Sequence, residues 1–255
     1  MEQAEVLRNK LLGEHLVKNL EKRGMAAYYC ATKEEAVAKA LELIPETDVV
    51  AWGGSVSIKE VGLLDVIKKR NPVIDREIAE TPEEKQELMR NALLCDTYLM
   101  SSNAISKDGQ LVNIDGNGNR VAAMIFGPKQ VVMVVGMNKG AGTLEGAIDR
   151  ARHVAAPINA ARFAGLGTPC AKLGTCADCI SPDSICCQVV ITRVSRVKGR
   201  IKVILVGENL GFKKTAHQRP SASLRLLGVL FIRRRRRASH LTTSEPSCYS
   251  KCALV

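Results

Sequence analysis

Residues 96–139 read DTYLMSSNAISKDGQLVNIDGNGNRVAAMIFGPKQVVMVVGMNK. The apolar run Tyr98-Leu99-Met100 turns polar at Ser101-Ser102-Asn103. Turn signals at Lys107-Asp108-Gly109 and Asp115-Gly116-Asn117-Gly118 bracket a strand-like segment at 110–114. Asp-Gly and Asn-Gly pairs between apolar runs mark hairpins, because primed turns need positive φ. Past Gly127-Pro128, residues 131–136 form a continuous apolar run, the pattern of a strand buried on both faces. Ser, Asn, Asp and Arg side chains thus collect where two buried strands end, and open α/β sheets bind their ligands there.

Outward from this stretch, helices and strands alternate. Three- and four-residue apolar spacing predicts a helix over 5–23, closed by Gly24, and a strand follows at 26–30. Thr32 with Glu35 is a capping-box pattern for a helix to about Leu43. The strand at 49–52 leads through Gly53-Gly54-Ser55-Val56-Ser57 into one helix expected over 58–69, then a strand at 73–75. Thr81-Pro82 starts a helix to about Leu94, and a long helix is expected from Thr143 or Leu144 to about Phe163. Strands at 189–194 and 201–206 flank a Lys198-Gly199 turn and could pair as an antiparallel edge hairpin. Such alternation implies an α/β fold with a largely parallel sheet covered on both sides.

At 255 residues, 46% of them hydrophobic, the chain can bury a sizeable core. No apolar run reaches the ~18 residues of a membrane span. The charged N-terminus lacks a signal-peptide pattern, so a cytoplasmic protein with reduced thiols is expected. The net charge of +11 is misleading as a nucleic-acid signal. From Thr215 onward the chain has eight Lys/Arg and one acidic residue, so the body is only mildly basic.

Three constellations could carry chemistry. Gly53, Gly54, Ser55 and Ser57 lie between a strand and a helix, where backbone N–H groups and hydroxyls suit an anion. The competing reading is a tight turn with Ser55 as helix cap. The polar rim offers Asn103, Asn113, Asp115, Asn117, Asn119 and Arg120 to a small anionic metabolite, with Asp115 the best acid/base candidate. Asn, Asp and Gly also dominate turns for conformational reasons alone. The third constellation is Cys170, Cys176, Cys179 and Cys186, with Cys187 as an alternative fourth ligand. Four thiols in one turn-rich loop suit zinc or an iron–sulfur cluster; a structural loop of bare thiols is the alternative. Cys30 and Cys95 sit among apolar neighbours and read as inert.

The segments NAISKDGQLVNIDGNGNRVAAMIFGPKQVVMVVGMNK, GGSVSIKEVGLLD and TPCAKLGTCADCISPDSIC together resemble the LUD domain proteins, the lactate-utilisation family. The likeness runs from the N-terminal helix to Phe212. It implies a Rossmann-like three-layer α/β/α sandwich, similar to the fold of sugar-phosphate isomerases and CoA-transferases. It also implies an accessory or electron-transfer part in oxidising lactate to pyruvate, beside iron–sulfur redox subunits. Many isomerase relatives place an acid where this chain has Asn103, so their chemistry does not carry over directly. The other reading is a stand-alone enzyme on a small phosphorylated or acyl substrate, with Asp115 or Glu60 moving the proton. Glu60 also reads as a solvated helix residue.

The expected organisation is an N-terminal helix (1–24), an α/β domain (25–212) that includes the cysteine loop at 167–187, and a basic extension (213–255). The extension, with five consecutive arginines at 233–237, does not resemble the body. It reads as a disordered, non-homologous segment from an altered reading frame, and only through it could nucleic acid bind.

Overall fold

The computed structural model describes residues 3–213. Apart from its first residue, the basic extension expected over 213–255 lies outside the described residues. The first half of the fold comprises α1 (Gln3–Lys22), β1 (Ala26–Cys30), α2 (Lys33–Leu43), β2 (Val50–Trp52), α3 (Val56–Glu60), α4 (Leu63–Arg70), β3 (Val73–Ile74) and α5 (Pro82–Asn91). Next come β4 (Thr97–Met100), β5 (Ala104–Ser106), β6 (Leu111–Asp115), α6 (Asn119–Ile125), β7 (Gln130–Gly136) and β8 (Gly140–Ala141). Then follow α7 (Leu144–Arg150), α8 (Ala156–Ala160), α9 (Pro169–Leu173), β9 (Gln188–Thr192) and β10 (Ile201–Val206).

Six strands form a sheet in the order β1-β10-β7-β4-β2-β3, and every pairing in it is parallel. Strand side chains alternate between faces, and the core divides accordingly. Tyr98, Met100, Val131, Met133, Val203 and Leu205 pack on one side with Leu16 and Leu20 of α1 and Val121 and Met124 of α6. Leu99, Val132, Val134, Ile204 and Val206 pack on the other with Ala36 and Ala40 of α2, Ile58 of α3 and Leu63 and Ile67 of α4. The result is the three-layer sandwich. A second sheet, β8-β5-β6-β9, holds the hairpin legible at Lys107-Asp108-Gly109 and packs Ala104, Val112 and Ile114 on Ala147 and Ala151.

Several expectations are corrected. β9 and β10 do not pair with each other. β10 sits in the interior of the main sheet beside β1 and β7, as its nearly unbroken apolar sequence demands. β9, half-exposed along its length, joins β6 instead. The single helix expected over 58–69 breaks into α3 and α4 at Gly62, whose φ of 75° is left-handed and open to glycine at no steric cost. The long helix expected from Thr143 is interrupted by a π-helical turn at Ala151–Ala155, just before Pro157, which cannot supply an N–H to a regular helix. Thr32 Oγ1 does accept from Glu35 N at 3.2 Å, but Glu35 reaches back to Ala31 N rather than to Thr32. Among the described residues, no helix is long and apolar enough to cross a membrane.

Candidate functional site

Because the main strands are all parallel, their C-terminal ends share one edge, and a cleft of about 530 Å³ opens there. The loop after β2 contributes Gly53, Gly54 and Ser55, the start of α3 contributes Ser57, and the end of β4 contributes Ser101, Ser102 and Asn103. Lys139 follows β7, and Gly211 and Phe212 follow β10. Asp115, Asn117, Asn119 and Arg120 complete the rim. Gly53, Gly54, Ser55, Ser57, Asn103, Asp115 and Arg120 therefore face one space, whereas Asn113 is buried beneath the rim and Glu60 does not line the cleft.

The rim is organised by Arg120. Its Nη1 donates to Ser101 O at 3.0 Å and Asn113 Oδ1 at 2.8 Å. Its Nη2 donates to Asn103 Oδ1 at 3.1 Å and Ile114 O at 2.6 Å. Its Nε lies 3.6 Å from Asp115 Oδ2. The guanidinium is thus committed to the protein. Burial lowers its affinity for the proton, while Asp115 and then Tyr98 oppose that shift. Asp115 accepts from Gly118 N at 3.3 Å and Val121 N at 3.2 Å, so its carboxylate also covers the start of α6. Asn103 Oδ1 takes a second bond from Ile114 N at 3.0 Å. Gly53 has no room for a side chain: a Cβ there would lie 2.8 Å from Arg120 Cγ and 3.0 Å from the Tyr98 hydroxyl.

The loop after β2 does what a cap does. Ser55 Oγ accepts from Ile58 N at 3.3 Å. Glu60 is tied to the chain after β10, accepting from Gly211 N at 2.7 Å. Gly211 is held at a φ of 65°, and a Cβ there would sit 2.8 Å from Ser57 Oγ, so only glycine lets the backbone close over this floor.

Six of the cations that line the cleft escaped the sequence reading, and Lys139, Arg150 and Arg76 stand out among them. Lys139 is 6% exposed, with Nζ 2.7 Å from Ser57 Oγ and 2.9 Å from Ser101 Oγ. Burial, then the neighbouring Arg150 and Arg120, push its ammonium down to about 7, with Glu60 opposing. Arg150 donates to the carbonyls of Asn138, Asn103 and Phe212, and burial lowers it to about 10. Arg76 lies by Glu77 and reaches to within 3.1 Å of where a Cβ on Gly54 would stand. The signal for Lys139 was its position, a cation three residues beyond a strand buried on both faces. Arg150 shares an inward face with Ala147 and Ala151, where a charge is out of place without a task.

The cysteines occupy a second cavity of about 210 Å³, lined by Cys170, Cys176, Cys179 and Cys186 together with Arg152 and Asp178. Cys187 is exposed and does not line it. Thr168 Oγ1 lies 3.4 Å from Cys170 Sγ, Asp178 N donates to Cys176 Sγ at 3.5 Å, and Ser184 Oγ lies 3.2 Å from Cys186 Sγ. Among the described residues, no three His, Cys, Asp or Glu side chains are grouped so as to hold a metal ion. Ile114 lines both this cavity and the cleft, and Ile185, next to Cys186, faces the cleft. Cys30 and Cys95 are buried elsewhere, and burial pushes the Cys95 thiol up to about 12, which leaves it inert.

A family model described as the LUD domain matches residues 13–206. A solved structure described as a DUF162 family protein from Deinococcus radiodurans is similar with a TM-score of 0.45 and 14% identity, covering 81% of this chain and 99% of that one. No curated protein matches.

Proposed function

The chain belongs to the LUD domain family, and from that premise we propose that its cleft binds a small anionic metabolite in the oxidation of lactate to pyruvate. The supporting observation is charge. Lys59, Arg76, Lys85, Arg120, Lys139, Arg150 and Arg162 line the cleft against only Glu77 and Asp115. Low-dielectric walls of one sign concentrate ions of the other, and both lactate and pyruvate are carboxylates. In this reading Asn103, Asp115 and Arg120 build the rim, while Arg76 supplies the charge that meets the ligand.

Trp52 is the chain's one tryptophan and lines the cleft, so its fluorescence reports occupancy. Titration with lactate or pyruvate is expected to give a saturable change, weakened about tenfold, or ~1.4 kcal/mol, by Arg76→Ala. Saturation by phosphate but by neither acid would favour the second reading, a stand-alone isomerase- or transferase-like enzyme on a phosphorylated or acyl substrate. The cleft volume supports that alternative, since it lies in the range that holds drug-sized ligands. No response to any of the three anions would remove both readings.

The redox side of the proposal rests on the thiol cavity. Four cysteines face one space, and hydrogen bonds reach three of the sulfurs. Thiols that share a cavity without closing on one point suit a four-iron cluster, which takes each thiolate at a separate iron, better than one tetrahedral ion. Cys170, Cys176, Cys179 and Cys186 would hold it, and it would supply one-electron transfer beside the cleft, to iron–sulfur partner subunits in the cytoplasm. Protein purified without oxygen should then be brown, with iron and acid-labile sulfide near stoichiometric. Colourless protein that stays iron-free after reconstitution would leave zinc or bare thiols.

A further inference from the structure

Lys139 is placed to react as well as to attract. Its Nζ stands at the floor of the cleft between the hydroxyls of Ser57 and Ser101. Ser101 Oγ donates onward to Val134 O at 2.6 Å, so its contact with Lys139 is made through the oxygen lone pair. Ser57 on α3 is otherwise occupied by no hydrogen-bond partner of its hydroxyl among the described residues, so this O–H can turn its proton toward an uncharged amine. We propose that Lys139 is a nucleophile that captures an anionic carbonyl compound of the 2-oxo acid class as an imine. The proposal rests on the anion-binding reading of the same cleft and adds covalent chemistry to it.

The step balances without any oxidant or reductant. The amine lone pair adds to the carbonyl carbon, the carbonyl π electrons move to oxygen, and a proton transfer gives a neutral carbinolamine. Protonation of its hydroxyl expels water as the nitrogen lone pair closes the C=N bond, leaving a protonated imine. Overall one proton is taken up and one water released. Ser57, whose hydroxyl touches Nζ, is placed to relay these protons, while Ser101 accepts from Nζ and keeps its own proton on Val134 O.

A lysine becomes a nucleophile when it is desolvated or set beside another cation, and Lys139 meets both conditions. The groups that face it are Ser57 and Glu60 from α3, Ser101 at the end of β4, Arg120 from α6 and Arg150 from α7. Glu60 opposes the two arginines, yet the balance still leaves a large uncharged fraction of the amine at neutral pH. An ordinary surface lysine at pH 7 has only about one amine in two thousand uncharged.

The test uses the full chain at pH 7 with pyruvate and sodium cyanoborohydride, which reduces an imine to a stable secondary amine. Peptide mass mapping is expected to find the adduct at Lys139 at least about tenfold faster than at any other lysine. Modification of Lys139 no faster than of surface lysines overturns the proposal. The Trp52 titration with pyruvate, run on the same protein, separates the two failures. Saturable binding without preferential adduct sinks the imine and leaves the anion site standing. Absence of both sinks the anion-binding reading as well.

Discussion

Replacing Arg120 with Met is expected to lower stability by about 3–5 kcal/mol, the usual cost of removing one partner from a buried ion pair. Domains of this kind have roughly 5–15 kcal/mol in total, so the variant should be partly unfolded at moderate temperature or fail to accumulate. The cause is the number of groups one guanidinium satisfies. Ser101 O, Asn113 Oδ1, Asn103 Oδ1 and Ile114 O all accept from it, and Asp115 faces it at 3.6 Å. Without it, four oxygens each lose a hydrogen bond and the Asp115 carboxylate loses its countercharge, keeping only Gly118 N and Val121 N. Arg120→Lys should rescue little, because an ammonium cannot reproduce a planar fork aimed at four acceptors. Urea unfolding measures the difference. A loss below about 1 kcal/mol would show that the rim is held by something else.

Lys139 gives the second large effect, and its sign is opposite at neutral pH. In the unfolded chain this lysine titrates near 10.5, while in the fold burial and then the arginines hold it down to about 7. Between those values the unfolded state carries a proton that the folded state lacks. Stability therefore rises with pH from about 7 to about 10.5 through this group and loses that contribution as pH falls through 7. The interval corresponds to on the order of 5 kcal/mol at 1.36 kcal/mol per unit. Lys139→Met removes the titration, so its unfolding free energy should exceed that of the unaltered chain below pH 7, with the gap closing as pH rises. The gain is reduced because Ser57 loses its partner; Ser101 keeps Val134 O. Unfolding curves that run parallel from pH 6 to pH 9.5 would contradict the assignment.

The sheet was legible because its evidence is local. The run at 131–136 announces a strand buried on both faces, and β7 is buried at every position. The run at 201–206 was read as half of an edge hairpin because of its closeness in sequence to 189–194, although its burial pattern is that of an interior strand. Pairing is decided by which apolar surface needs covering, and neighbours along the chain have no claim on each other. The helix breaks at Gly62 and Pro157 were visible as residues but not as breaks, since both types are tolerated near helix ends.

The site was legible in its members and hidden in its roles. Asn103, Asp115 and Arg120 were recognised as polar groups at strand ends, and they do line the cleft. The hydrogen bond from Arg120 to Asn103 joins residues 17 apart, which no spacing rule encodes. Lys139 looked like an ordinary lysine after a strand. Its chemistry comes from Ser57, 82 residues away, and from Arg150 on the next helix. The cysteines were legible as a group because four thiols within one loop are rare, and the shared cavity repeats that grouping in space.

Ile114 forms part of the wall between the cationic cleft and the thiol cavity. Close-packed interiors transmit volume changes to whatever lies behind them. A lineage that trimmed this side chain to admit a bulkier acid would loosen the thiol chamber in the same mutation, and one that enlarged it would crowd both. The two chambers are therefore not free to diverge separately. Selection acting on the appetite of one is recorded in the shape of the other.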